Sequence, residues 1–367
     1  MATTTTTTAT NPAVPQVAAK PMAKGSARFR SSWHDEAKQS SWSIAHWFFH
    51  LLDIDPLPPK ASFPVADKAD KVPYVSEWSL HRWIAPRLAV PLLLHHVLVA
   101  HYGITLHPVA AFFLYSVAFK LFGVSTMHML RRVGAQHGFL DGQVPRDGIP
   151  DDSVGKVAMS LISTSTYRPI LAVMLAYDRN APPALSWMVP AQLTLYTVVL
   201  DFWFYWYHRL MHEVPWLWKL HSTHHLTRHP NATLTLFADE VQEIFDIAGI
   251  PLFAYWTIRY LVPVLGGSNF GFYEWWFCGM YVAFIELAGH SGLRVFAQPP
   301  GSFGILRSAG IELCIEDHDL HHRRGWKKSG NYGKQTRVWD TLFGSKIARE
   351  ECTEDNVDWS QRVAIPW

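Results

Sequence analysis

Long apolar runs arranged in closely joined pairs constrain this chain more than any other feature. "WIAPRLAVPLLLHHVLVAHYGI" is followed almost at once by "HPVAAFFLYSVAFKLFGV". Each run approaches the ~20 residues that a helix needs to cross a hydrocarbon core. So short a join forces a hairpin, and both outer ends then emerge on one side. Arg82 and Arg87 lie at the start and Arg131 and Arg132 beyond the end, with no Lys or Arg in the join. The positive-inside rule puts that common side in the cytosol. Two further pairs follow. "VGKVAMSLISTSTYRPILAVMLAY", a weak or re-entrant span interrupted by Arg168 and Pro169, precedes "WMVPAQLTLYTVVLDFWFYWY". "IAGIPLFAYWTIRYLVPVL" then joins "FGFYEWWFCGMYVAFIELAG" through "GGSN". The expectation is an all-α, multi-span transmembrane helix bundle with a cytosolic, histidine-rich helical cap. Buried core helices of a soluble protein are the competing reading.

Composition agrees with the membrane. Hydrophobic residues make up 49% of the 367, with 17 Trp and 21 Phe, while charged residues are only 17%, below the quarter or so of soluble domains. A formal net charge of +2 without a basic stripe gives no reason to expect a nucleic-acid partner. Cys278, Cys314 and Cys352 are too widely spaced for a disulfide framework or a CxxC pair. Residues 1–32, rich in Thr, Ala and Pro, lack an apolar signal core and read as a disordered tail. Their Lys20, Lys24, Arg28 and Arg30, with no acid before Asp35, also suit an organelle transit peptide. Residues 33–79 read as an interfacial helix ("SIAHWFFHLLDI") and a Pro-rich irregular segment. Residues 80–190 carry the first membrane helices, 191–347 a histidine-bearing domain, and 348–367 a tail.

Histidines mark the ends of the later runs. His208 and His212 are four apart, and His221, His224 and His225 follow an i, i+3, i+4 pattern. His318, His321 and His322 repeat that pattern, and His290 stands alone in "IELAGHSG". Residues at those spacings share a helix face, and neutral imidazole is a ligand for Zn, Cu, Fe and Ni. Nine such nitrogens are too many for one tetrahedral ion and about right for two ions with open positions. The hairpins return all the clusters to one membrane face. His95, His96, His101 and His107, scattered in the first hairpin, read as ordinary surface or hydrogen-bonded histidines. His229 sits outside the periodic pattern and is placed behind the ligands. Asp317 and Asp319 read as carboxylates that orient imidazole N–H groups. A zinc protease would carry glutamate where "HRLMH" has Arg209, and the Glu-x-x-His pairs of carboxylate di-iron bundles are missing.

HxxxH at His208 and His212, HxxHH at His221 to His225 and the later HxxHH at His318 to His322 resemble the fatty acid hydroxylase/sterol desaturase superfamily. "NYG" at Asn331 to Gly333 and "WDTLFGS" at Trp339 to Ser345 are similar to its C-terminal region. The resemblance covers roughly residues 195–347. It implies a non-haem oxygenase with two Fe ions that uses O2, sits in the endoplasmic reticulum membrane with a cytosolic active site, and hydroxylates or desaturates a lipid. Sterol, sphingoid base and fatty acyl chain are the implied substrate classes, with sterol biosynthesis among the implied roles. Cytochrome b5 and its reductase are the implied electron donors. Many relatives carry a further histidine where this chain reads "ADEVQE"; Asp239 stands there, as an oxygen ligand or leaving a position open.

The chain shows no nicotinamide or flavin fingerprint, so the electrons come from outside. Arg323, Arg324, Lys327 and Lys328 in "HHRRGWKK" form a basic patch suited to an acidic carrier or to lipid headgroups. A lipid entering sideways between "DFWFYWY" and "FYEWWF" is one reading of those aromatics, and an interfacial belt is the other. "NAT" at Asn231 is formally a glycosylation acceptor, which the cytosolic placement contradicts. An inactive membrane scaffold and a histidine-rich metal transporter or sensor are the rival functions.

Overall fold

The structure, a computed structural model, describes residues 29, 31–58, 61–267 and 270–367. The expected disordered tail, or transit peptide, therefore lies almost wholly outside the described residues. A short amphipathic helix α1 (Ile44–Leu52) comes first, turning Phe49 inward while Ile44 and Leu51 stay exposed. It is fastened to the bundle by the Arg131–Asp53 ion pair and by a His128 Nε2 to Leu52 carbonyl contact of 3.0 Å. Strand β1 (Val72–Tyr74) leads into α2 (Glu77–Ala100) and α3 (Pro108–His137). After the 138–153 loop come α4 (Val154–Ala176), α5 (Val189–Glu213) and α6 (Pro215–His221).

Among the described residues, three helices are long and apolar enough to cross a membrane: Glu77–Ala100, Pro108–His137 and Glu240–Val264. The last is α7 (Glu240–Ile244) and α8 (Ile250–Val264) joined by a π-helical turn at Phe245–Gly249. Only about a third of each apolar window is buried, 28%, 33% and 33%. Val90, Leu93 and Leu94 of α2 and Phe113, Val117 and Leu121 of α3 face outward. An apolar surface that continuous is unstable in water and fits a bilayer. The protein is a helical membrane bundle.

α9 (Phe272–Gly289) behaves differently. It is apolar all round and buried among α2, α3, α4 and α5, as expected for a helix at the centre of a bundle. This corrects the reading of "FYEWWF": Trp275 stacks on Tyr255 at 4.0 Å, and Trp276 meets Tyr115 edge-on with ring centroids 5.1 Å apart. Those rings are core, not an interfacial belt. The space beside them, among Tyr196, Leu200, Trp275 and Trp276, is about 40 Å³ and too small for a lipid chain.

α10 (Ile305–Ser308), α11 (Ile315–Arg324) and α12 (Val338–Leu342) build the cap with the loops around them. Strand β2 (Val357–Arg362) pairs in parallel with β1, a small sheet in an otherwise helical fold. Residues 348–367 are woven into the body: Glu351 pairs with Arg294 at 2.8 Å, and the Pro366 carbonyl accepts from Trp83.

Candidate metal centre

Nine histidines meet in two adjoining groups. His208, His212, His221, His225 and His321 form one; His224, His290, His318 and His322 form the other. Within each group the candidate ligand atoms all lie within 4.8 Å of one another, and every residue is buried. The groups touch, with the His225 and His322 rings 4.9 Å apart.

The sequence clusters do not map onto the groups. On α5, His208 and His212 point together into the first group, as i, i+4 neighbours should. Each HxxHH divides instead. His221 and His225 enter the first group while His224 crosses to the second. His318 and His322 enter the second while His321 crosses to the first. The expected single helical face for residues 221–225 is also absent: α6 ends at His221, and His224 begins a 3-10 turn at His224–Leu226. His318, His321 and His322 divide in the same way on unbroken α11, so the division does not depend on that turn.

Hydrogen bonds set the tautomers. His208 Nδ1 lies 2.9 Å from the Tyr332 carbonyl, His212 Nδ1 3.2 Å from that of Trp326, and His321 Nδ1 2.8 Å from that of Gly330. In the second group, His224, His290 and His322 use Nδ1 on the carbonyls of Phe237, Glu286 and Thr227. His221 Nδ1 meets Gln242 Oε1 at 2.9 Å, while the Gln242 amide nitrogen donates to Asp246. A carbonyl oxygen can only accept, so each of these Nδ1 atoms carries the proton and each Nε2 presents a bare lone pair.

Those lone pairs face one another. Nε2 of His208 and His221 are 3.0 Å apart, His212 and His225 3.1 Å, and His321 and His225 3.0 Å. In the second group His290 stands 3.0 Å from His318 and 3.3 Å from His224. Between His208 and His221, and between His290 and His224, both nitrogens are acceptors and neither has a proton to share. A cation between them resolves the conflict. Metal–nitrogen bonds of ~2.1 Å meeting at right angles separate the nitrogens by ~3.0 Å, whereas tetrahedral bonds give ~3.4 Å. The observed 3.0–3.3 Å separations fall between those two values, as nitrogens sharing one cation would. His322 Nε2, buried and without a hydrogen-bond partner, suits the same role.

Burial also keeps the imidazoles neutral. It holds His221, His224, His225, His318 and His321 far below the ordinary histidine value and His322 at about 4. Neutral imidazole is the ligand form.

The carboxylates read from sequence lie elsewhere. Asp239 caps α7 by accepting from the Val241 N–H and belongs to neither group. Capping is what an aspartate at a helix start does best, and Gln242, on the next inward position, meets the imidazole. Asp319 lies between Arg146 at 2.7 Å and Arg323 at 2.8 Å. Asp317 caps α11 and pairs with Arg349. Neither orients an imidazole; backbone carbonyls and Gln242 do so, because the packed loops bring them closer. His229 sits 3.1 Å from Asp141 and outside both groups. Asn231, buried, spends its side chain on the Asp147 carbonyl and the Thr233 N–H, so its amide is not available to a glycan.

Three residues that sequence reasoning passed over support the centre. Gln242 is one. Asp201 gathers the N–H groups of Lys334, Gln335 and Thr336, and Asp340 those of Tyr332 and Gly333. Together they fix the loop whose carbonyls hold His208 and His321. Gly333 is required there, since a Cβ would lie 2.4 Å from the Thr336 carbonyl oxygen. Of the basic patch, Arg324, Lys327 and Lys328 are exposed, but Arg323 is drawn inward by Asp319 and Glu350.

A model of the fatty acid hydroxylase family matches residues 193–345, a stretch that includes all nine histidines. No solved structure matches. Methylsterol monooxygenase 2-1 of Arabidopsis thaliana is 31% identical over 172 residues, 44% of this chain and 58% of that protein. Alkylglycerol monooxygenase of Xenopus tropicalis is 26% identical over 168 residues, 46% of this chain and 33% of that protein. Fatty acid hydroxylase vlmA of Lecanicillium sp is 37% identical over 326 residues, 84% of this chain and 87% of the relative. With similarity running nearly end to end in that relative, this chain belongs to the fatty acid hydroxylase family.

Proposed function

We propose that the two histidine groups each hold one iron ion, His208, His212, His221, His225 and His321 around the first and His224, His290, His318 and His322 around the second. The protein is an O2-dependent lipid monooxygenase embedded in a membrane. Its overall reaction is R–H + O2 + 2e⁻ + 2H⁺ → R–OH + H2O. Breaking an unactivated C–H bond is beyond side-chain acids and bases; a bound iron pair supplies dioxygen activation. The chain's own contribution is to hold seven Nε2 lone pairs ready through fixed Nδ1 partners, with His225 and His318 beside them, keep the imidazoles neutral and exclude water.

A lipid chain has room close by. A cavity of about 260 Å³ lies beneath α1, between α3, α4 and α9, walled by Phe48, Leu52, Phe119, Met127, Leu161 and Leu287. Leu236 and Glu286 also line it; the Phe237 carbonyl beside the first and the Glu286 carbonyl itself support His224 and His290. Entry from the bilayer under α1 replaces entry between the aromatic stretches of α5 and α9. Sterol, sphingoid base and fatty acyl chain are the candidate substrates. The proposal extends to the endoplasmic reticulum membrane, a cytosolic metal centre, and cytochrome b5 with its reductase as electron source.

The observation that carries the reading is the facing of bare Nε2 lone pairs in two closed sets. Metal analysis of detergent-purified protein tests it: about two irons per chain are expected, with a loss in His224→Ala. Protein that takes up no iron under any loading condition sinks the catalytic reading in favour of a scaffold. A transporter would place its ligands midway along the spans, whereas these lie at helix ends and in the cap.

A further inference from the structure

One ligand of the proposed first iron is wired to the protein surface. His212 Nδ1 donates to the Trp326 carbonyl at 3.2 Å, and Trp326 Nε1 donates back to the His212 carbonyl at 2.8 Å. The Trp326 ring stacks on Trp218, centroids 5.3 Å apart and planes 6° from parallel. Trp218 in turn touches His212 at 5.1 Å and His225 at 5.4 Å. Both indoles are partly exposed. Two adjacent surface rings therefore contact two ligands of one group.

The surroundings of the pair are cationic. Lys219 follows Trp218, and Arg324, Lys327 and Lys328 flank Trp326, all four exposed. Lys327 Nζ lies 4.9 Å from the Trp326 ring centroid. Two exposed acids nearby are already paired, Glu213 with Arg209 at 2.7 Å and Glu350 with Arg323 at 3.2 Å. A surface with this charge attracts an acidic partner and speeds its encounter at low salt.

We infer that the stacked Trp218–Trp326 pair is the electron-entry port, on which an acidic, one-electron carrier protein docks. The inference rests on the di-iron reading above. Each turnover takes two single electrons from two reduced carriers, and with two protons from solvent they complete the reduction of O2 to one water and one inserted oxygen. The indoles are bridges, neither oxidised nor reduced in net. Electronic coupling decays steeply across empty space. A path through the Trp326 carbonyl, the His212 N–H and the imidazole contains bonds and one hydrogen bond, with no gap. The bland alternative is that the indoles merely brace the cap.

Stopped-flow reduction of iron-loaded protein separates the two. Reduced soluble cytochrome b5 serves as the acidic carrier and dithionite as a small reductant that needs no docking. Iron content is measured first on every sample, so failure of the di-iron reading appears in the unmodified protein before any variant is compared. For Trp326→Leu, the ratio of carrier-driven to dithionite-driven rate should fall at least tenfold, with partial recovery in Trp326→Phe. Lys327→Glu with Lys328→Glu should weaken carrier binding and flatten its salt dependence. An unchanged ratio in Trp326→Leu overturns the port, as does a parallel fall in both rates, which is the signature of bracing alone. If the double charge reversal weakens vesicle binding and leaves carrier binding intact, the patch serves the bilayer and the docking inference is wrong.

Discussion

His208 and His221, thirteen residues apart, bring their Nε2 atoms to 3.0 Å while each commits its Nδ1 proton elsewhere, to the Tyr332 carbonyl and to Gln242. Two lone pairs held that close make the empty site self-repelling and the filled one strongly preferred. Metal binding is then linked to folding. Stripping iron with a chelator should lower the unfolding temperature, and readdition of ferrous iron should restore it. Identical melting curves with and without metal would contradict that linkage.

The division of each HxxHH between two groups can be read by substitution. His225→Ala removes a ligand from the first group, and His322→Ala one from the second. Each single variant should lose roughly one iron per chain, and the double variant nearly both. Elemental analysis distinguishes this from a single shared site, in which either change would empty everything.

Gln242 holds His221 in its tautomer from a position outside the ligand set. Gln242→Leu keeps the volume and removes the acceptor. Losses of ~10–100-fold in metal affinity or activity are usual for such orienting partners. Asp239→Asn, which preserves the helix cap, should change neither by more than about twofold. Competition against a chelator measures both variants.

Asp319 lies buried between Arg146 and Arg323. Removing its charge in Asp319→Asn leaves the buried Arg146 guanidinium without its carboxylate, while Arg323 keeps Glu350, and breaking a buried pair costs ~3–5 kcal/mol. Denaturation midpoints in detergent provide the check. A loss of metal with unchanged stability would instead favour the orienting role suggested by sequence.

Acid should destabilise the metal-free protein. Burial lowers the folded-state value of His322 to about 4, from an ordinary 6.5. Between those values the unfolded chain binds the extra proton, so stability falls as pH drops from about 6.5 toward 4, below which the His322 contribution is complete. The other buried cap imidazoles shift in the same direction. Melting temperature against pH for the apo form tests this, and iron should protect across the upper part of that window because it competes with protons for the same nitrogens.

The repeating distances along the chain determined a good deal. Spacing of apolar residues set out the long helices, the i, i+3, i+4 histidines marked the candidate ligands, and "NYG" and "WDTLFGS" carried the family resemblance. These are local properties, carried by helix periodicity and side-chain chemistry. Tertiary structure decided which imidazole joins which group, because that depends on how α5, α9 and α11 cross. It also decided that α9 is core, since an apolar helix reads alike whether lipid or protein surrounds it. Gln242, Asp201 and Asp340 were invisible for a related reason. Their roles come from loops folding back over long separations, and nothing near them in sequence records which carbonyl or N–H will arrive.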